Sequence, residues 1–360
     1  MSRDMEFRWA ILGTGDVARK FALALPHAGG RAQVVASRER ENARLFATTL
    51  SVPEVAPDYE EAMQADVDAV YVATPPHLHE AHALMAIKAG HAVLIEKPFA
   101  ASAAAAYRIA EAAQTAGVFC MEAMWTRFQP VAGSVASALA DGTLGELRSF
   151  DACFMAANIP DATASLFDPA RNGGALVHRG IYPLSLARHF LGPVEEMAAT
   201  ARIGETGVDE DCALMLRHSS GALSTIRASL RASGAEGATL SGTRGTLYLD
   251  GPIYRPTGAW IAPTRPTPAA TGQTVPRRLE AFRESAPGLR LSRAISRLRA
   301  RRARDALPVA MCGNGYHYQA AAVRDAVRAG RCEEARMPPC QSIELMELMD
   351  RARRSWGMPA

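Results

Sequence analysis

Between Trp9 and Ala18 the chain reads Trp9-Ala-Ile-Leu-Gly13-Thr14-Gly15-Asp16-Val17-Ala18, a G-x-G-x-x-A pattern set between a short apolar run and a helical stretch. No other feature limits the fold as strongly. The first glycine permits a tight strand-to-helix turn, the second lets backbone approach a pyrophosphate, and Ala18 allows close packing of helix on strand. Main-chain N–H groups at the helix start then face the anion. Alone, the pattern is a weak signal; its surroundings strengthen it. Brief apolar runs at 9–12, 33–36, 69–73, 92–95 and 118–121 alternate with helical segments at 17–25, 40–50, 79–89 and 103–116. Gly90 and Gly117 stand where helix C-caps are expected, and Ser102 where an N-cap is. The alternation predicts a parallel, doubly wound α/β Rossmann domain over residues 1–127.

After about Gln129 the pattern changes. A helix near 131–139 ends at Gly142, and stretches 146–155, 197–203, 212–217 and 222–230 read as consecutive antiparallel strands. His218-Ser-Ser-Gly221 predicts a hairpin turn between the last two, and Gly242-Thr-Arg-Gly245 a second between 238–241 and 246–249. One helix, 182–191, is closed by Gly192-Pro193. The expectation is an α+β domain with a large, mostly antiparallel open sheet over 128–340, then a C-terminal helix at 341–360. At 360 residues, two domains are the default.

With 48% hydrophobic and 21% charged residues, the composition is that of an ordinary globular protein. The net charge of +3 comes from one segment, because residues 265–305 hold eleven Arg against Glu280, Glu284 and Asp305. That excludes a basic surface spread over the molecule, and no nucleic-acid partner is expected. Within an Arg-rich insertion near 264–310, the Pro- and Thr-rich residues 263–276 read as a loop. Residues 289–304 read as a basic amphipathic helix, solvated or mobile. Cys120, Cys153, Cys212, Cys312, Cys332 and Cys340 form no C-x-x-C pair, which argues against zinc and a disulfide framework and for a reducing cytoplasm. The N-terminal residues are too polar for a signal peptide, and no apolar run approaches membrane-spanning length, so no membrane partner is expected. His77, His79 and His82 lie close in sequence, but no metal is expected there because the neighbouring motifs are redox motifs.

The end of the second strand selects the dinucleotide. An acid there would accept from a ribose 2′-OH. This chain instead reads Val34-Val35-Ala36-Ser37-Arg38, where a hydroxyl and a guanidinium suit a 2′-phosphate and therefore NADP. The alternative reading leaves Arg38 solvated and gives the ribose to Glu39.

Further motifs carry a resemblance. After the third strand stands Ala73-Thr74-Pro75-Pro76-His77-Leu78-His79, and after the fourth Val93-Leu-Ile-Glu96-Lys97-Pro98. With the glycine loop they resemble the Gfo/Idh/MocA oxidoreductase family. Met121-Glu122-Ala-Met-Trp125-Thr126-Arg127-Phe128, Gly173-Gly-Ala-Leu-Val-His178-Arg179-Gly180-Ile-Tyr182-Pro183 and Gly315-Tyr316-His317-Tyr318 resemble its branch of dimeric dihydrodiol and NADP-dependent D-xylose dehydrogenases. The resemblance implies a cofactor cleft lined by Thr74, Pro75, His79, Glu96, Lys97, Pro98, Trp125 and Arg127, besides Gly13 to Ala18, Ser37 and Arg38. It also implies that Lys97 and Tyr182 stand near the reacting carbon.

Oxidising an alcohol needs hydride transfer to the cofactor and a base for the hydroxyl proton. Tyrosine and lysine both titrate near about 10, so neither is a good base alone, but an adjacent ammonium favours phenolate. Lys97 beside Tyr182 is expected to act this way. The chain has only Lys20, Lys88 and Lys97 among 40 basic residues, so lysine at this strand end suggests a need for ammonium chemistry. The family's usual Asp is replaced by His178, which can hydrogen-bond substrate or act as base but cannot hold Lys97 charged. Trp125 and Phe154 are candidate substrate walls, with Arg179 a candidate for binding an acidic group. The implied activity is an NADP-dependent dehydrogenase of a cyclic diol or sugar, homodimeric through the second sheet. A non-catalytic NADP-binding sensor or scaffold is the competing reading.

Overall fold

The computed structural model describes residues 6–234, 236–264, 277–302 and 305–358. Its first sheet is built from β1 (Phe7–Leu12), β2 (Gly30–Ala36), β3 (Glu54–Val55), β4 (Ala69–Val72), β5 (Ala92–Ile95) and β6 (Cys120–Glu122). They lie in the order β3-β2-β1-β4-β5-β6, all parallel. Between them run α1 (Asp16–Ala24), α2 (Arg40–Leu50), the single turn α3 (Tyr59–Ala62), α4 (His79–Lys88) and α5 (Ala103–Ala116). Every residue of β4 and β5 is buried, as expected of strands covered by helices on both faces. The expected caps form: Ser102 Oγ accepts from the Ala105 N–H at 3.3 Å, and Gly90 and Gly117 take φ of 84° and 65°.

The second domain opens with α6 (Pro130–Ala140) and β7 (Leu147–Met155). After a long excursion come α7 (Ile181–Leu191), β8 (Val194–Ile203), β9 (Asp209–His218), β10 (Leu223–Ser229), β11 (Gly237–Gly242), β12 (Gly245–Asp250) and β13 (Ala259–Pro263). Next are α8 (Arg277–Glu284), α9 (Ala286–Arg302), β14 (Asp305–Ala306), α10 (Tyr316–Arg328) and α11 (Pro339–Ser355). The sheet runs β14-β13-β12-β11-β7-β10-β9-β8. Both expected hairpins are present: Gly221 N–H donates to the His218 carbonyl at 2.8 Å, and β11 pairs with β12.

One expectation is corrected. β7 is not followed by its neighbour; it lies between β11 and β10 and runs parallel to β10. The excursion from 156 to 193, which includes α7, is long enough for the crossover that a parallel pair requires, so the chain re-enters at the far edge as β8.

The two C-terminal helices join the halves. Asp350 accepts from the Ala103 N–H at 2.8 Å and Tyr107 donates to Glu347 at 2.7 Å, docking α11 on α5, while Arg188 of α7 pairs with Glu344. Asn314 donates to the Lys20 carbonyl at 2.7 Å and Arg324 to that of Ala28, docking α10 on the first domain although its sequence follows the sheet. The basic stretch is helical through Arg302, whereas most of the expected 263–276 loop, residues 265–276, lies outside the described residues. Among the described residues no helix is long and apolar enough to cross a membrane.

Candidate active site

The glycine loop opens onto the C-terminal ends of β1 and β4. Gly13 has φ of 107°, and a Cβ there would sit 2.6 Å from the Ala73 carbonyl oxygen, so backbone packs on backbone. A Cβ on Gly15 would meet nothing within 4 Å. That open space, at the start of the nine-residue α1, fits the pyrophosphate of a dinucleotide. At the tip of β2, Ser37 Oγ lies 3.3 Å from Thr14 Oγ1. The Arg38 side chain is 85% exposed, its Nε only 3.5 Å from Glu39, while its backbone N–H donates to the Tyr59 hydroxyl at 3.0 Å.

The ends of β4 and β5 carry the next group. His79 is buried with Nδ1 2.8 Å from the Pro98 carbonyl and Nε2 2.8 Å from the Thr74 carbonyl. Burial pushes its pKa down to about 4, so at neutral pH a single N–H serves this bridge. Expected in the cleft lining, His79 instead ties the two loops from beneath. Thr74 Oγ1 meets His82 Nδ1 at 2.9 Å. Glu96, also buried, accepts from the Tyr71 hydroxyl and from the Lys97 N–H; burial raises its pKa although Lys97 opposes the shift. The Lys97–Pro98 peptide is cis.

Between the domains lies a cavity of about 490 Å³ walled by Trp125, Phe154, Tyr182, Tyr254 and Tyr316. Trp125 stacks on Tyr316 with ring centres 4.4 Å apart, and Phe154 and Tyr182 each meet Tyr254, at 5.2 and 6.0 Å. Lys97 Nζ lies 5.3 Å from the centre of the Tyr182 ring. The expected lowering of the Tyr182 pKa is not realised in the protein alone. Burial, the largest influence, raises it, and Lys97 offsets only part.

His178 and Arg179 sit on a π-helical turn, Leu176–Gly180, that runs directly into α7. Its wider winding changes where these side chains point relative to Tyr182, as such turns often do at functional sites. Burial, then the charges of Lys97, Arg179 and Arg353, pushes the His178 pKa down to about 3; the Asn172 carbonyl alone favours a ring proton. His178 is therefore neutral, its Nε2 is shielded and has no partner among the described residues, and it is too weak a base for neutral pH.

Two expected residues are engaged elsewhere. Arg127 is buried away from the cavity, donating to Ser185 Oγ, the Ser185 carbonyl and the Arg336 carbonyl, each at 2.8 Å, and to Gln341. It fastens α7 and α11 and holds no cofactor group in this geometry. Arg179 lines the cavity and stands 5.3 Å over Phe154, but its N–H groups go to the Ala156 and Ser229 carbonyls and Asn158. Not expected from the sequence in this lining were Lys20, Leu166, Tyr254, Arg255, Asn314 and Tyr316. Tyr316 carried a signal, the Gly315-Tyr316-His317-Tyr318 motif; Tyr254 and Arg255, on the connection between β12 and β13, carried none. A larger hollow, about 630 Å³, lies far from this chemistry on the sheet around Met197, Met215 and Leu223. Among the described residues no cluster of His, Cys, Asp or Glu has metal-site geometry.

Comparison with known proteins agrees with this architecture. Residues 7–124 match the oxidoreductase family with NAD-binding Rossmann fold, and residues 134–248 match the GFO/IDH/MocA C-terminal domain. Trans-1,2-dihydrobenzene-1,2-diol dehydrogenase of Bos taurus is 34% identical over 259 residues, covering 70% of this chain and 77% of that one. The enzyme of the same name from Danio rerio is 30% identical over 362 residues, 98% of each chain. Among solved structures, levoglucosan dehydrogenase in complex with NADH and L-sorbose superposes with a TM-score of 0.79 at 18% identity, covering 98% of this chain and 96% of that one. The 3-ketoreductase KijD10 from Actinomadura kijaniata, in complex with NADP and TDP-benzene, gives 0.77 at 23% identity and 97% coverage of both. With a glycine cradle, a lysine at the end of β5 and an aromatic cavity between the two domains, the chain belongs to the Gfo/Idh/MocA family of oxidoreductases.

Proposed function

We propose that the protein is an NADP-dependent dehydrogenase acting on the hydroxyl-bearing carbon of a cyclic diol or sugar. The observation that carries this reading is the Lys97 ammonium lying 5.3 Å from the ring of Tyr182, a wall of the aromatic cavity. The named activities of its relatives, diol dehydrogenases, agree with it. A bound nicotinamide dinucleotide supplies the hydride acceptor or donor. The chain's own groups position the substrate and move the proton. Tyr182, protonated at neutral pH, donates to the carbonyl oxygen in reduction; in oxidation its phenolate, populated as pH rises, takes the hydroxyl proton. Lys97 steadies the oxygen on which negative charge develops. A neutral His178 whose ring proton faces the Asn172 carbonyl offers Nε2 as an acceptor for a substrate hydroxyl.

Ser37 and Arg38 favour NADP over NAD, because the strand tip offers a hydroxyl and an exposed guanidinium where an NAD site would offer an acid. The sheet face with Met215 at 63% and Leu223 at 53% exposure is the surface through which a homodimer would form. Six free cysteines, three of them exposed, suit a reducing cytoplasm.

The test is NADPH formation from NADP across a panel of cyclic diols and aldoses, with NAD in parallel. The sensor reading draws on one observation, the absence of a carboxylate at His178. It predicts NADP binding without turnover, and turnover appearing in His178→Asp.

A further inference from the structure

Lys20, Arg179 and Arg255 all line the cavity, and among the described residues no Asp or Glu joins them. Their charges are not equally available. Lys20 Nζ lies 2.5 Å from Asp16 Oδ2, so its charge is offset. Arg179 gives its N–H groups to carbonyls and an amide, and Glu236 acts on its charge only at longer range. Arg255 differs from both. Its backbone N–H donates to the Pro252 carbonyl at 2.9 Å, fixing the residue on the connection that also carries Tyr254. Among the described residues its Nε is shielded from solvent without an acceptor, and no carboxylate lies within ion-pair distance of its guanidinium. Glu96, a buried acid of the first domain, is engaged by Tyr71 and by the Lys97 N–H. An N–H shielded from water without an acceptor is costly, and an anionic group on a ligand would remove that cost. The planar fork of a guanidinium matches a carboxylate with two parallel hydrogen bonds.

We propose that the substrate is a cyclic polyol carrying a carboxylate, of the uronic-acid type. Its ring packs against Trp125, Phe154 and Tyr254, and its carboxylate pairs with Arg255. This rests on the dehydrogenase reading of the same site. A carboxylate is the group assigned, its two oxygens matching one planar fork; a phosphate ester is the competing anion, and the experiment separates the two.

The experiment uses the NADP-loaded protein and sugar pairs that differ only in carboxylate against CH2OH: D-glucuronate with D-glucose, and D-galacturonate with D-galactose. D-glucose 6-phosphate forms a third arm. The expected result is a kcat/KM for the acids about tenfold or more above that of their neutral partners. Arg255→Gln should raise KM for the acids by about ten- to hundredfold, change the neutral partners by less than about threefold, and be partly rescued by Arg255→Lys. Equal or better use of the neutral sugars, preference for the phosphate ester, or an equal effect of Arg255→Gln on both members of a pair would overturn the proposal. If no sugar yields NADPH, calorimetric titration of D-glucuronate decides. Binding weakened by Arg255→Gln upholds the anion site while removing the dehydrogenase reading, and absence of binding removes the anion site.

Discussion

The glycine loop and the aromatic cavity are built in opposite ways. The cradle is main chain from one contiguous stretch, shaped by what Gly13 and Gly15 lack. The cavity is side chain, gathered from α1, the segment after β6, β7, α7, the connection after β12 and the start of α10. A backbone site fails when an atom is added; a side-chain site fails when one is taken away. The first kind is written as local spacing in sequence, and the second appears only once the chain has folded.

The largest expected effect tests the backbone half. Gly13→Ala places a Cβ 2.6 Å from the Ala73 oxygen at φ of 107°, so it should lose stability of about 1–3 kcal/mol from strain alone. NADP affinity should fall by about a hundredfold or more with it. Gly15→Ala meets no protein atom within 4 Å, so it should lose cofactor affinity while keeping its melting temperature. Thermal melts and fluorescence titration with NADP separate the two; equal behaviour would break the distinction between packing glycine and ligand glycine.

On the side-chain half, Tyr182→Phe should lower kcat by about 10²–10⁴-fold and leave the NADP dissociation constant unchanged. The pH profile sharpens this. Burial outweighs Lys97 and raises the Tyr182 pKa, so the phenol is protonated at neutral pH. The oxidation rate should therefore climb with rising pH, and the reduction rate should hold level through neutrality and decline in alkali. A fall of oxidation rate in alkali would remove Tyr182 as the proton acceptor.

The same contrast governs how much could be read beforehand. α5 begins and ends where Ser102 and Gly117 place it, because capping is a matter of adjacent residues. The glycine loop, the Lys97 strand end and both hairpins are likewise local. Strand order was not: nothing within 147–155 says that β7 will pair in parallel with a strand some seventy residues later. Nor does anything in Arg127 say that its guanidinium turns toward Ser185 and Gln341. The charge balance at Tyr182 also lay beyond local reading, since Lys97 was visible in sequence and the burial opposing it was not.

A smaller effect is expected at the cradle's rim. Arg38→Ala should weaken NADP by about ten- to hundredfold and leave NAD nearly unchanged, because among the described residues the exposed guanidinium has only Glu39 at 3.5 Å to release. An equal loss for both cofactors would show that Arg38 serves the shared part of the dinucleotide, and the ribose contact would pass to Glu39.

The smallest effect on rate is expected at His178, where asparagine preserves an acceptor of similar reach. If the ring serves only as a neutral hydrogen-bond acceptor, His178→Asn should lower kcat/KM by less than about tenfold, whereas loss of a base would cost about a hundredfold or more. Stability gives a second readout. Folding lowers the His178 pKa from 6.5 to about 3, so between these values the unfolded chain binds the proton and the native one does not. The stability it contributes is present in full above 6.5 and is lost as pH falls toward 3. Glu122 and Asp209 work the other way: burial raises them to about 7 and about 6, so their contribution is present in acid and lost as pH rises through those values. The wild-type profile mixes both signs, and the difference between wild type and His178→Asn isolates the histidine. The variant should lose less of its melting temperature on going from about pH 7 to about pH 5. An unchanged difference would mean that His178 titrates alike in the native and unfolded chains, returning it to the catalytic base that its present surroundings forbid.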